Sequence, residues 1–247
     1  DTDKKLFGKR EDLVALCRNP FYLSLLINYY KQNSMRLPTN QMELFKSFVD
    51  GRLNRCSGKI EMEGMTVDQI RNAATELAMY MEESPEYGLE CPVKVLASRN
   101  VGKDWGKILG LLAYAKICRF GGTNETVSFV HRRFQEFFHV EHIVANQEAI
   151  SRESYESILH NNGLRDALVL YCEIAEETRV REIAKYCWNI VQSKIDSCNN
   201  IRKDGCAELV NTLYFMAEAF RNRREVICDF LIDFQDLVEK QLTDETD

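Results

Sequence analysis

Apolar positions along this chain recur mostly three or four residues apart, the spacing of helices, and in one stretch alternate at the spacing of strands. Leu13, Leu16 and Cys17 form a first helical stripe. Asn19-Pro20 then starts a second helix, because Asn caps well and Pro is tolerated at the first helical position. Phe21, Leu25 and Tyr29 share its face, widened by Leu26 and Tyr30. Leu37-Pro38-Thr39-Asn40 stops one element and starts the next, with Asn40 and Glu43 at capping-box spacing before Leu44, Phe45, Phe48, Val49 and Leu53. Gly58 is read as the end of this helical region.

Thr66 and Gln69 repeat the capping-box spacing ahead of Ile70, Ala74, Leu77, Ala78 and Met81, and Ser84-Pro85 closes that helix. A short helix is expected after Pro92, through Val95 and Leu96, and another over Trp105 to Ala115. The period then changes. Lys116 to Phe120 alternates, Gly121-Gly122-Thr123-Asn124 turns, and Val127-Ser128-Phe129 alternates again, which is a hairpin signal. Helices followed by a hairpin are the element order of a winged helix. A helix over Arg132 to Asn146 follows, with Phe134, Phe138, Glu141 and Ala145 on one side.

Beyond Asn162-Gly163, further helices are expected around Leu164 to Tyr171, Val180 to Val191, Leu209 to Phe220 and Ile227 to Val238, before an acidic end that frays. The predicted class is mainly α: a helical bundle, a winged helix with its small β-hairpin, then α-solenoid-like helices. The expected domains are helical domain 1 over residues 1–59, a winged-helix domain over 60–149 and helical domain 2 over 150–247.

Composition agrees with this pattern. With 4 Pro and 12 Gly in 247 residues, the chain lacks the turn residues that an all-β fold consumes. Nine cysteines, odd in number and without a Cys-x-x-Cys pair, read as reduced thiols of a cytoplasmic protein, with Cys17, Cys172, Cys187 and Cys228 inside helical patterns. No apolar run approaches the ~20 residues of a membrane span. A net charge of −6 gives no bulk attraction to a polyanion.

Several chemistries find no signature. The chain has no Gly-x-x-x-x-Gly-Lys-Ser/Thr phosphate loop, no Gly-x-Gly-x-x-Gly, no Gly-x-Ser-x-Gly elbow and no His-Glu-x-x-His. No catalytic residue is assigned and the chain is not read as an enzyme. His139 and His142, with His131 and Glu141, lack recognisable zinc-ligand spacing, so no metal site is assigned. Glu82-Glu83 and Glu176-Glu177 read as solvated faces. Glu136 reads as a structural ion pair.

Phe129, His131, Phe134, Gln135, Glu136, Phe137 and Phe138 resemble the end of the winged-helix domain in NACHT-type NTPases, signalling ATPases of the STAND class. Arg18-Asn19-Pro20-Phe21 followed by Leu25-Leu26 is similar to the Asn-Pro-Leu stretch of that family's first helical domain. Leu37-Pro38 with Glu43-Leu44-Phe45 is similar to its next segment, and Leu164-Arg165-Asp166-Ala167-Leu168 resembles its post-winged-helix helices. The resemblance implies a regulatory segment of an NLR-like protein, with immune-like defence as one setting. Its ADP or ATP, with magnesium, would be held by an N-terminal nucleotide-binding core lying before Asp1. The isolated chain would bind no cofactor. Its partners would be that core and further copies of itself on oligomerisation, with the protein ligand or effector left open.

Carried residue by residue, the resemblance implies that Pro20 packs against the adenine base. It implies that His131 reaches the β-phosphate of ADP, an attraction that protonation would strengthen. Without the resemblance, Pro20 is a helix-start proline and His131 a polar residue beside an apolar stripe. Two other readings stay open. One is a winged-helix DNA binder using Lys103, Lys107, Arg119, Arg132 and Arg133, which the sparse cations do not favour. The other is a helical protein-interaction scaffold.

Overall fold

The structure is a computed structural model that describes residues 11–84, 87, 89–99, 102–122, 125–146, 148, 150–160, 163–197 and 207–230. It is mainly helical, with one small antiparallel sheet. Contacts divide it into two compact units, residues 1–146 and 147–247, so the segments expected as 1–59 and 60–149 fall mostly within the first.

Among the described residues the first unit opens with α1 (Glu11–Cys17), α2 (Pro20–Gln32) and α3 (Gln41–Arg55). The helices start where their caps stand: Asn19 Oδ1 accepts the Phe21 N–H at 2.9 Å, and Asn40 Oδ1 accepts that of Glu43 at 2.8 Å. Only half of the expected Asn40–Glu43 box forms. The Glu43 carboxylate takes the Thr39 N–H (2.6 Å) and hydroxyl (2.7 Å), and also accepts from the Tyr29 hydroxyl. Gly58 does not end the helical region. The chain breaks at Cys56 and resumes as α4 (Ser57–Met62), which closes at Gly64, where a φ of 75° suits glycine.

α5 (Val67–Glu83) opens with the complete Thr66–Gln69 capping box, its two bonds at 3.1 and 2.8 Å. Then come β1 (Cys91–Pro92), α6 (Val93–Arg99), α7 (Trp105–Tyr114), β2 (Cys118–Phe120) and β3 (Thr126–Phe129). The strands lie in the order β1-β3-β2, all antiparallel. Helix, strand, two helices and a hairpin, with the first strand beside the last, are the winged-helix arrangement. β1 carries no periodicity of its own, because two residues are too few. It exists through its pairing with β3, continued by the Val93 N–H donating to the Glu125 carbonyl at 2.9 Å. At the hairpin, a Cβ on Gly121 would stand 2.2 Å from Thr126 Oγ1, so this close approach needs glycine.

α8 (Arg132–Asn146) packs along α5, and its Phe134, Phe137 and Phe138 are fully buried with Phe45 of α3. Phe134 stacks on Phe48 at 5.1 Å and meets Phe45 edge-on at 5.9 Å. Arg71 of α5 pairs with Asp50 of α3 and with both carboxylate oxygens of Glu141 of α8, at 2.7 and 2.8 Å. Aromatic packing and one bridging guanidinium therefore join α3, α5 and α8. Glu82 is not on a solvated face. Its side chain is 16% exposed beside His139 (3.8 Å) and Gln135 (3.4 Å), and burial raises its pKa against the opposing charge of Arg132.

The second unit contains α9 (Arg152–His160), α10 (Gly163–Ile174), α11 (Glu177–Ser197) and α12 (Ala207–Ala219). α12 packs against all three preceding helices. Trp188, Val191 and Leu209 form a cluster that Leu213, Met216 and Phe230 help to cover. Arg223 donates to the carbonyls of Cys172 (3.1 Å) and Ala175 (2.6 Å), supplying the acceptors at the end of α10 with donors. Arg165 is buried and paired with Glu218 at 3.0 Å. Ile227 and Phe230, expected to begin a last helix, lie in or beside 3-10 turns at Arg224–Val226 and Cys228–Phe230, and the remainder of that expected helix and the acidic end lie outside the described residues.

Among the described residues no helix is long and apolar enough to cross a membrane. The described cysteines are free thiols; Cys56, Cys91, Cys118, Cys172 and Cys187 are buried, whereas Cys228 is exposed and Cys17 intermediate.

Candidate functional site

His131 lies where β3 hands over to α8. The Val130 N–H donates to the Ile117 carbonyl at 3.0 Å, which holds the strand end against its partner until the helix begins. The first turns of a helix present N–H groups with no partner inside the helix. Here the His131 ring meets one of them: Nδ1 accepts the Arg133 N–H at 3.2 Å, while the His131 carbonyl accepts that of Phe134 at 3.0 Å. An accepting Nδ1 places the ring proton on Nε2. The other nitrogen is thus an N–H donor whose orientation the cap fixes, and it has no partner among the described residues.

The ring is clamped from its faces as well. Phe21 lies parallel to it, with centroids 4.5 Å apart and planes 2° apart, and Tyr22 meets it edge-on at 5.6 Å. Phe134 in turn meets Phe21 edge-on at 5.8 Å. Partial burial lowers the His131 pKa, and the Arg133 charge lowers it further. The imidazole is therefore neutral at neutral pH. A proton on Nδ1 would displace the Arg133 N–H and cost the cap.

Pro20 is exposed at the first turn of α2, immediately before the Phe21 that stacks on His131. Residues more than a hundred positions apart in the chain are thereby joined through one intervening ring. Beside them is a shallow depression of about 170 Å³ whose lining includes Glu90, Arg119, Ser128, His131, Arg132 and Gln135. Arg119 Nε donates to Ser128 Oγ at 3.2 Å. Glu136, 2% exposed, is paired with Arg132 (3.0 Å) and Arg133 (2.9 Å), the ion pair its sequence position suggests.

Other candidates resolve differently. His142 contacts Asn146, and His139 faces Glu82; among the described residues no three His, Cys, Asp or Glu side chains gather in a metal-holding set. On α7 the apolar positions Trp105, Ile108, Leu109, Leu111 and Leu112 are buried. Lys107 is paired with Glu63 at 3.1 Å and Lys103 with Glu76. The stacking role of Phe21 and the place of Ser128 in the depression had no sequence signal, and Arg119 reads from the sequence only as a possible contact to DNA. Phe21 reads simply as one more apolar residue of α2, and nothing local connects it to His131.

No known protein family, no curated protein and no solved structure matches this chain.

Proposed function

We propose that this chain is the regulatory segment of a NACHT-type STAND NTPase, coupling the nucleotide state of a separate nucleotide-binding core to conformational switching and oligomerisation. One observation carries the reading: His131 spends Nδ1 on the start of α8 and keeps Nε2–H as an oriented donor, within one aromatic ring of Pro20. A neutral N–H fixed in this way suits a phosphate oxygen, and Arg119 beside it supplies positive charge, Arg132 being already paired with Glu136. Pro20, exposed immediately before Phe21 in the chain, would offer an apolar edge to a base. Magnesium and the phosphate loop would belong to the core, and hydrolysis is not assigned to residues of this chain.

Magnitudes limit the role of His131. One hydrogen bond to a charged group contributes about 1.5–3 kcal/mol. Taking a switch from 1:99 to 99:1 requires about 5.5 kcal/mol of differential binding. His131 therefore biases the closed, ADP-bound state, and packing between domains supplies the remainder.

The test uses the full-length protein and separates the two nitrogens. Asn caps helices well, so His131→Asn retains the start of α8 while removing the Nε2 donor. The expected result is ADP release faster by about tenfold or more, corresponding to the loss of one charged hydrogen bond. Unchanged ADP release in His131→Asn, or a full-length gene product without a phosphate loop, overturns the proposal. The DNA-binding alternative is disfavoured by the ion pairs that occupy Lys103 and Lys107. Strongly salt-dependent binding of the chain to duplex DNA would restore it.

A further inference from the structure

We propose that the first unit carries a small-oxyanion site between α2 and α3, built on Arg52 and Arg55 and independent of the nucleotide reading. A cavity of about 50 Å³ lies there, with Asn28, Gln32, Ser47, Phe48, Arg52 and Arg55 among its lining residues and no carboxylate among them. That volume is on the scale of a small ion or a few waters, well under the ~300–1,000 Å³ of pockets that enclose drug-sized ligands.

The arginines differ from their neighbours in the fold. Arg71, Arg132, Arg133 and Arg165 each meet a carboxylate. Arg52 and Arg55 meet none among the described residues. The Arg52 guanidinium lies 5.0 Å above the centre of the Phe48 ring, and its Nε is buried without a hydrogen-bond partner. Arg55 uses Nε on the Gly51 carbonyl at 2.8 Å, which leaves its terminal N–H groups for another acceptor. A Cβ on Gly51 would stand 3.7 Å from Arg55 Nη2 and 3.9 Å from Gln32 Oε1, so these two side chains converge over the one position of α3 that has no side chain.

Two cations at the C-terminal turn of a helix interact favourably with its dipole. That accounts for their location. It does not satisfy a buried Nε, whose desolvation is costly until an acceptor arrives. Glu43, which accepts from the lining residue Tyr29, does not itself line the cavity; it is already bound by Tyr29 and Thr39 and is not that acceptor. The planar forks of Arg52 and Arg55, with the Ser47 hydroxyl and the Asn28 and Gln32 amides, match a tetrahedral oxyanion.

Calorimetric titration of the chain with inorganic phosphate at low salt tests this. Saturable binding with a Kd of about 1 mM or tighter is expected. Arg52→Gln and Arg55→Gln should each weaken it by about tenfold or more, whereas Arg152→Gln, on an exposed arginine elsewhere, should leave it unchanged. Arg52→Lys keeps the charge without the fork and should also weaken binding, which guards against a glutamine variant that fails to fold. No saturable binding, or equal binding by the folded Arg52 variants, overturns the proposal. ADP binding to this site more tightly than pyrophosphate would show a nucleoside contact and overturn the small-anion assignment.

Discussion

The start of α3 and the start of α8 meet the same need with different side chains, and the difference separates a structural cap from one that can also signal. At α3, Asn40 takes the Glu43 N–H, and the Glu43 carboxylate answers by binding Thr39 and Tyr29. The acceptors of that carboxylate turn inward to the protein's own donors. At α8, the His131 ring takes the Arg133 N–H through one nitrogen and has a second left over. An amide cap can be replaced by a hydroxyl with little consequence. An imidazole cap cannot, if the second nitrogen has a ligand. The aromatic floor is shared: Phe45 of α3 and Phe134 of α8 meet edge to face, and both are fully buried.

The largest expected effect comes from removing that shared floor. Phe134→Ala deletes a ring touching Phe21, Phe45 and Phe48 and should cost about 3–5 kcal/mol in urea unfolding. A loss under about 1 kcal/mol would mean that the two helix starts do not depend on common packing.

His131→Ala comes next. It removes the cap, at about 1 kcal/mol, and the stack on Phe21, at about 0.5–1.5 kcal/mol. His131→Asn should recover the first loss and not the second in thermal unfolding. Equal destabilisation by both variants would remove capping from the account of His131.

Asn40→Ala should cost about 1 kcal/mol and leave ADP release from the full-length protein unchanged. An effect on release as large as that of His131→Asn would erase the distinction between the two caps.

The pH responses should also diverge. The His131 pKa lies below its usual 6.5, so an unfolded chain binds that proton first; its contribution is present above pH 6.5 and declines as pH falls from there. At α3, burial raises the Glu43 carboxyl, but hydrogen bonds from Thr39 and Tyr29 outweigh it and hold the pKa below 4.5. Its contribution is present above pH 4.5 and declines on further acidification. Tyr29 is pushed up from 10.0 to about 12 by burial, the hydrogen bond to Glu43 and its charge. That contribution is complete below pH 10 and is lost as pH rises toward 12. Melting curves of the parent chain and of His131→Asn should therefore converge on moving from pH 8 toward pH 5, and those of the parent and Tyr29→Phe should converge above pH 10. A constant separation across either range would contradict the corresponding assignment.

The smallest effect belongs to Pro20. Exposed at a first helical position, it forgoes no internal hydrogen bond, and Pro20→Ala should change stability by no more than about 0.5–1 kcal/mol. A larger cost in the chain without nucleotide would place Pro20 in the packing rather than at an available surface.

Helices were legible wherever one face is continuously apolar over several turns. The expected Arg132 to Asn146 helix is α8, and Thr66 with Gln69 marks the start of α5 because both bonds of that box lie within four residues. The hairpin was legible because its alternation and its glycines are local. β1 was not, since its two residues become a strand only by pairing with β3 more than thirty positions later. Glu82 misled for a related reason: adjacent carboxylates look solvated until α8 covers one of them.

The sequence by itself determined the helical class, the winged-helix order, most of the caps, and His131 as the polar residue ahead of the phenylalanine run. Each follows from interactions within a few residues, where backbone geometry dictates which side chains can meet. Only the tertiary structure decided that Phe21 lies flat on His131, that the ring spends Nδ1 on α8 and leaves Nε2–H without a partner among the described residues, that α12 closes on all three earlier helices of its unit, and that Arg52 and Arg55 find no carboxylate among the described residues. These are partnerships between distant segments, settled by how complete helices pack and by which polar groups that packing removes from water.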